Sequence, residues 1–189
     1  MIIALHESFL DAPRRSRDGV VARCADLADL RAALQQLHGE EPYLAVALGD
    51  GLTPAREAHA MIHGLLDLQS RTACPLLLRN DRGSIGQDPA FVAELAAAHP
   101  DLRLAVDFQE WCLGSELLLG DWAAWKGLLR AMAPHVLSLR APTAGPERCA
   151  PDRGLVALTI RQLMLHRYRW LRRTCARGPG TIFEVVGAR

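Results

Sequence analysis

The sequence predicts an α/β protein built as a reduced or incomplete (β/α) barrel, with parallel strands inside and helices outside. Short apolar segments alternate with longer segments of helical character, from GVVARC near the start to TIFEVVG near the end. Apolar strands separated by helices indicate parallel strands joined by crossovers. No GxGxxG follows the first strand and no GxxxxGK[ST] occurs, which favours a barrel over an open nucleotide-binding sheet.

The length limits how many strand–helix repeats fit. The chain has 189 residues, whereas a complete eight-stranded barrel typically has about 250. We therefore expect a single domain, residues 1–189, with six or seven strands and an abbreviated N-terminal part at 1–42. Half of the residues are hydrophobic and the net charge is +1, which predicts a globular core and gives no reason to expect a nucleic acid from charge alone.

Each element has a local signal. Strands are predicted at MIIALHE, GVVARC, YLAVALGD, CPLLLRND, LRLAVDF, HVLSLRAP and TIFEVVG. Short polar side chains cap helix N-termini, and proline suits the first helical position. By this rule helices begin at Asp26 or Asp29, at Thr53 with Pro54, at Asp88 with Pro89, and at Asp121. A loop from Pro142 to Gly154 precedes a long last helix.

The sequence gives no sign of export or of membrane insertion. The start, MIIALHESFLDAPRR, is too short and too interrupted for a signal peptide, and no apolar run approaches the roughly 18 residues of a membrane span. We therefore expect a cytoplasmic protein with no membrane partner. The five cysteines form no CxxC pair, so buried thiols are expected rather than disulfides or a structural zinc site.

Charged residues end the strands in the second half of the chain. These strand ends are Arg79-Asn80-Asp81-Arg82, Asp107 with Glu110, Arg140 and Glu184. The carboxyl ends of parallel strands lie on one face of the sheet, where ligand sites are built. Any one of these residues could be a solvated loop charge. Together they are expected to pair, because a half-buried carboxylate without a cation or metal is costly.

The stretch PLLLRNDRGSIGQDPAFVAELAAAHPDLRLAVDFQEW resembles the central segment of xylose-isomerase-like TIM-barrel proteins, the sugar phosphate isomerase/epimerase group. There one strand typically ends in a Glu-Thr-His-Arg type motif and the next in Asp-Phe-Ser-His-Trp. LSLRAPTAGPERCAPD is similar to the family's His-Ala-Arg-Val-Gly loop, and TIFEVVG to its final strand. The resemblance covers roughly residues 43–187. It implies a TIM-type barrel in which Glu, Asp, His and Glu from four strand ends hold a divalent metal.

Carried over position by position, the resemblance implies that this metal site is degenerate. The four ligand positions fall on Arg79, Asp107, Ser138 and Glu184. The two motif histidines fall on Asp81 and Glu110, and the motif arginines survive as Arg82 and Arg140. Arg79 would place a cation where the ion sits and could pair with Asp107 or Glu184 instead. No cofactor is therefore favoured.

The alternative is a rebuilt site for Mn²⁺ or Mg²⁺. Hard cations of this kind prefer oxygen ligands. The carboxylates available at the strand ends are Asp81, Asp107, Glu110 and Glu184.

Three functions stay open. The first is an isomerase/epimerase-like protein that has lost its metal and serves as a ligand-binding or partner subunit in a homo- or hetero-oligomer. Its catalytic-type residues would be Asp107, Glu110 and Glu184. A small anionic or polyhydroxylated ligand would meet Arg79, Asp81, Arg82, Trp111 and Arg140. The second is an active isomerase, epimerase or dehydratase with the rebuilt metal site. The third, nucleic-acid binding, would use the late helix with its many arginines and with Tyr168 and Trp170.

Other residues of interest have plainer interpretations. His59 and His63 lie four apart on a predicted helix, but no third ligand is visible, so surface histidines are expected. His6 and Glu7 end the first predicted strand and could join the site. Trp122 and Trp125 are expected in the core, and Trp111 could serve either the core or a sugar pocket.

Overall fold

The structure is a computed structural model that describes residues 14–16, 19–114, 121–140, 154–176 and 182–184. Its side chains are described for residues 19–112, 121–140 and 162–176. The predicted strand MIIALHE, with His6 and Glu7, and the loop from Pro142 up to residue 153 lie outside these ranges. None of the described helices is long and apolar enough to cross a membrane.

The described strands form one sheet, in which each strand pairs with the next strand along the chain. They are β1 (Arg14–Ser16), β2 (Gly19–Cys24), β3 (Leu44–Leu48), β4 (Leu76–Arg79), β5 (Leu104–Asp107), β6 (Val136–Arg140) and β7 (Ile182–Glu184). The first two run antiparallel, whereas β2 to β7 are parallel throughout. The predicted α/β class with parallel strands is therefore confirmed.

Helices fill the connections between the parallel strands. They are α1 (Leu27–Gln35), α2 (Ala55–Gln69), α3 (Pro89–Ala98), α4 (Phe108–Gly114), α5 (Trp122–Met132) and α6 (Gly154–Cys175). Right-handed crossovers in a sheet of sequential order place all helices on one face. The main core lies on that face, where strand residues such as Leu44, Leu78 and Val106 pack with helix residues such as Ile62 and Leu129.

The opposite face of the sheet carries a second, smaller apolar cluster made of Tyr43, Ala45, Leu77 and Ala105. Tyr43 Oη lies 3.3 Å from Ser138 Oγ on β6, across the two intervening strands β4 and β5. In a flat sheet β3 and β6 would be about 14 Å apart, and side chains stand roughly perpendicular to the sheet. The sheet therefore curves toward this face, which we call the concave face.

The capping rule located most helix starts. Asp26, Asp88 and Asp121 each accept hydrogen bonds from backbone N–H groups of the helix that follows. Thr53 does not cap α2, which begins one residue later than expected, after Pro54. The reason is that the Thr53 hydroxyl accepts the N–H of Asp50, 3.0 Å away, and closes the preceding turn instead.

Two short elements were not predicted. The helix α4 follows β5 directly and begins at Phe108, the last residue of the predicted strand LRLAVDF, and continues through residues for which no element was predicted. The strand β1 pairs with β2 through only three residue pairs, Arg14 to Ser16 against Gly19 to Val21. Both elements are too short for the periodicity that reveals a longer helix or strand.

We expect opposite effects from two glycine-to-alanine substitutions. A Cβ at Gly86 would meet the Arg79 carbonyl and lie 3.0 Å from Asn80 Cα, so Gly86→Ala should lower the free energy of unfolding by about 1–3 kcal/mol through overpacking. Gly127 is exposed within α5 with open space around it, so Gly127→Ala should add about 0.5–1 kcal/mol. Urea unfolding measures both changes, and equal effects would contradict this packing.

Candidate functional site

Charged side chains from neighbouring strands meet at the carboxyl ends of β4, β5 and β6, which we call the rim. Arg79 ends β4, Asp107 ends β5 and Arg140 ends β6. Asp107 and Arg140 are partners in the parallel ladder, and Arg140 is in turn the partner of Glu184 on β7. The expectation that the strand ends bring opposite charges together therefore holds for Arg79, Asp107 and Arg140.

Asp107 holds the centre of this arrangement. Its side chain is only 11% exposed. One carboxylate oxygen, Oδ1, accepts the N–H of Gln109 at 3.1 Å and that of Glu110 at 3.4 Å, and so satisfies the start of α4. The other, Oδ2, lies 3.4 Å from Arg140 Nη1 and 3.9 Å from Arg79 Nη2. The strand therefore ends in aspartate because this carboxylate binds both a helix start and two guanidinium groups.

Arg79 lies between two carboxylates. Its Nε donates to Asp81 Oδ1 at 2.5 Å, while its Nη2 faces Asp107. The Arg79 side chain is 16% exposed and that of Asp81 23%. At the position where the resemblance implies a metal ligand, the chain thus has a largely buried cation that is already paired on two sides.

Asn80 fixes the backbone that carries Asp107, and sequence reasoning missed this residue. Its side-chain amide donates to the carbonyl of Asp107 at 2.9 Å and accepts the N–H of Asp107 at 2.7 Å. The side chain is buried and continues the β4–β5 ladder beyond the last strand residue. An amide directly after a buried strand was the only sign of this role in the sequence.

Burial raises the pKa of two rim carboxyls. For Asp107 the effect of burial exceeds the opposing effects of Arg140, of Arg79 and of the backbone N–H groups. The pKa of Glu110 is raised by burial and by the nearby Asp107 and Asp81, against the opposing charges of Arg82 and Arg79. Raised carboxyl pKa values occur at proton-transfer and ligand sites and also in structural ion-pair networks.

The loop of residues 81–88, which follows β4, is held in place by side chains from other elements. Arg23 on β2 donates to the carbonyls of Gly83, at 3.2 Å, and Arg82, at 2.5 Å. Trp111 donates its indole N–H to the carbonyl of Gly86 at 3.1 Å and is 1% exposed. Trp111 therefore supports this loop from the core, so the structure gives no ring surface there for a sugar to stack on.

The remaining predicted site residues lie at different depths. Arg82 is exposed, and the Arg140 side chain is 36% exposed. Ser138 is buried on β6, two residues before Arg140, and its hydroxyl lies within hydrogen-bond distance of the Tyr43 hydroxyl. Glu184 is placed beside Arg140 by backbone register alone, since its side chain is outside the described set.

No group of three or more His, Cys, Asp or Glu side chains among those described is arranged to hold a metal ion. Asp81 and Asp107 both face the guanidinium of Arg79, and this contact occupies the space between them. Thiol chemistry has no support at this site either, because burial raises the pKa of the nearby Cys112 to about 12.

The late helix α6 uses its aromatic side chains for packing. Trp170 packs edge-on against Trp122 of α5, with ring centroids 5.5 Å apart. Arg167 is buried, and its guanidinium carbon lies 4.7 Å from the centre of the Trp122 ring. Tyr168 is buried as well. These aromatic side chains are turned toward the protein and do not offer a surface for base stacking.

We expect Asp107→Ala to lower the free energy of unfolding by about 2–4 kcal/mol, because it removes both the cap and the shared counter-charge. Asp107→Asn keeps an oxygen for the two N–H groups and should cost less than half as much. Urea unfolding at pH 7 compares the variants, and equal losses would contradict the capping role.

Comparison of wild type with Asp107→Asn also tests the pH dependence of stability. Asp107 in the folded protein has a pKa above its ordinary value of 3.8. The contribution of the protonated carboxyl is therefore complete below that value and lost as the pH rises through the raised pKa. Urea unfolding at several pH values should show that the free energy of unfolding of wild type falls relative to that of Asp107→Asn as the pH rises through this range. A difference between the two proteins that does not change with pH would contradict the prediction.

Comparison with known proteins adds nothing to this geometry. No family model matches the chain, and neither a curated protein nor a solved structure matches it. The resemblance to the sugar phosphate isomerase/epimerase group therefore stays a prediction from the sequence motifs.

Proposed function

We propose that this chain binds a small polyhydroxylated anion, such as a sugar phosphate, at the rim without a divalent metal. In this proposal it is a reduced TIM-type (β/α) barrel related to the sugar isomerases and epimerases, and it serves as a binding or partner subunit. One observation carries the proposal, namely that Arg79 lies between Asp81 and Asp107 where relatives are expected to coordinate an ion.

The sheet supports the barrel part of this proposal. An open doubly wound sheet reverses its strand order at a switch point, whereas here the order follows the chain from β1 to β7. With every helix on one face, the other face can be buried only by curving on itself or by a covering segment. The contact between Tyr43 and Ser138 across two strands indicates curvature toward that face, as we expect for a barrel.

The charges of the rim support the ligand class. Arg79 is enclosed by carboxylates, so its charge serves the protein rather than a ligand. Arg140 and Arg82 are closer to solvent and can meet an anionic group. The carboxylates of Asp81 and Glu110 can accept hydrogen bonds from hydroxyl groups. A ligand that combines a phosphate with hydroxyls matches both kinds of group.

A second candidate is an active isomerase, epimerase or dehydratase. The observation in its favour is the raised pKa of Glu110 beside Asp107, since a carboxyl of this kind can hold and release a proton near a substrate. In its metal-dependent form the ligands would be Asp81, Asp107, Glu110 and Glu184, with Arg79 displaced. Nucleic-acid binding is not proposed, because the aromatic side chains of α6 pack inward.

We expect D-ribose 5-phosphate to raise the melting temperature of the wild-type protein in the presence of EDTA. Arg140→Gln should weaken its binding about tenfold or more, because a charged hydrogen bond to phosphate is lost. Arg71→Gln is the matched control, since Arg71 pairs with Asp67 on the surface of α2. Calorimetric titration with the sugar phosphate, with inorganic phosphate and with free ribose identifies the group recognised. Absence of binding by all three would contradict the proposal.

Arg79→Glu tests whether the arginine replaces an ion. We expect Mn²⁺ to raise the melting temperature of this variant, because the change adds a carboxylate beside Asp81 and Asp107. Without metal the variant should be less stable than wild type through repulsion between these carboxylates. Arg79→Gln is the control that removes the cation without adding a ligand. Equal stabilisation of wild type by Mn²⁺ would instead favour the metal-dependent alternative.

A further inference from the structure

Three histidine rings meet between α2 and α3. His59 and His63 lie one turn apart on α2, and His99 follows the last residue of α3 as its C-cap. His59 Nδ1 and His99 Nε2 are 2.9 Å apart. The ring of His63 packs edge-on against that of His99, with centroids 4.7 Å apart. His99 is 5% exposed, so a cluster that the sequence predicted as two surface histidines has a buried third member.

The contact between His59 and His99 depends on the number of protons that the two rings share. A hydrogen bond between two ring nitrogens needs one N–H donor and one unprotonated acceptor. If both rings are fully protonated, two N–H groups point at each other and two positive charges lie side by side. The structure therefore accommodates at most three protons on these two rings, and a fourth breaks the contact.

The surroundings offer little compensation for added charge. Glu94 on α3 has its Oε1 4.0 Å from His59 Nε2, so it can stabilise a positive His59, but its side chain is 66% exposed. No other charged side chain among those described contacts the three rings. A proton on His99 would thus face His59 and His63 inside a buried space, with no carboxylate in contact with its own ring.

The pKa of His99 agrees with this geometry. It is lowered by burial and further by the neighbouring His63 and His59. Because the pKa in the folded protein lies below the ordinary value of 6.5, the neutral ring stabilises the fold fully above that pH. The stabilisation is lost progressively as the pH falls from 6.5 toward the lowered pKa.

We propose that His59, His63 and His99 form an acid-sensitive latch between α2 and α3, which is closed at neutral pH and opens when His99 takes up a proton while His59 is also protonated. The backbones of the two helices approach each other closely at few points, so side-chain contacts such as this cluster connect them. Opening separates the end of α3 and the turn into β5 from the middle of α2. The latch is independent of the rim and of any ligand bound there.

Amide hydrogen exchange of the full chain between pH 7.5 and 5.5 tests the latch. After correction for intrinsic exchange rates, amides of residues 59–66 and 95–102 should open about tenfold more often per pH unit once the pH falls below 6.5, since one proton is taken up per opening. His99→Gln should make this opening independent of pH. His38→Gln, at an exposed loop position, is the matched control and should behave like wild type.

A second variant keeps the test decisive if His99→Gln fails to fold. The ring of His63 is exposed, so His63→Gln spares the core. It should reduce the total acid-induced increase in opening, because His63 contributes to lowering the pKa of His99 in the folded protein. The proposal is overturned if wild-type exchange is unaffected by pH, if His99→Gln keeps the pH dependence, or if His63→Gln shows the same acid-induced increase as wild type. It is also overturned if equimolar Zn²⁺ at pH 7.5 slows amide exchange of the same segments in wild type but not in His99→Gln, because the cluster would then be a metal site.

Discussion

A carboxylate that is almost withdrawn from water needs partners, and Asp107 obtains its own from three elements at once. The start of α4 gives it two backbone N–H groups, and β4 and β6 each give a guanidinium. Asn80 holds the backbone of Asp107 in both directions. Because these contacts share one side chain, the ends of β4, β5 and β6 and the first turn of α4 are fixed relative to one another. The rest of the rim is organised around this carboxylate.

The charge balance of the rim determines what it can bind. Arg79 pairs with both Asp81 and Asp107, and Arg140 supplies a second positive charge beside Asp107, so these two carboxylates require no bound ion to offset them. The more exposed part of the rim carries the positive charges of Arg82 and Arg140 and the negative charge of Glu110. An internal arginine and a bound divalent ion are alternative solutions to the same electrostatic problem, since either one offsets buried negative charge. This equivalence is the physical basis for proposing metal-free binding.

Much of the fold could be predicted from the chain, but the site could be predicted only in part. Apolar runs predicted β2 to β7, and Asp26, Asp88 and Asp121 predicted the starts of α1, α3 and α5. Both signals depend only on residues that are neighbours in the sequence. Thr53 was predicted as a cap but bonds within the turn before it. Trp111 was weighed as a sugar platform but is buried under Gly86. These two outcomes depend on which backbone groups lie nearby in space.

The sequence by itself determined the α/β class, the parallel strands and the placing of charge at their ends, because alternation and capping are local properties. Only the tertiary structure decided that Arg79 lies between two carboxylates, that Asn80 joins two strands, and that His99 meets His59 across two helices. Those contacts join residues 2 to 40 positions apart, and most depend on strand register, helix packing and side-chain burial. Such quantities are fixed by the folded chain as a whole and cannot be deduced from any one segment.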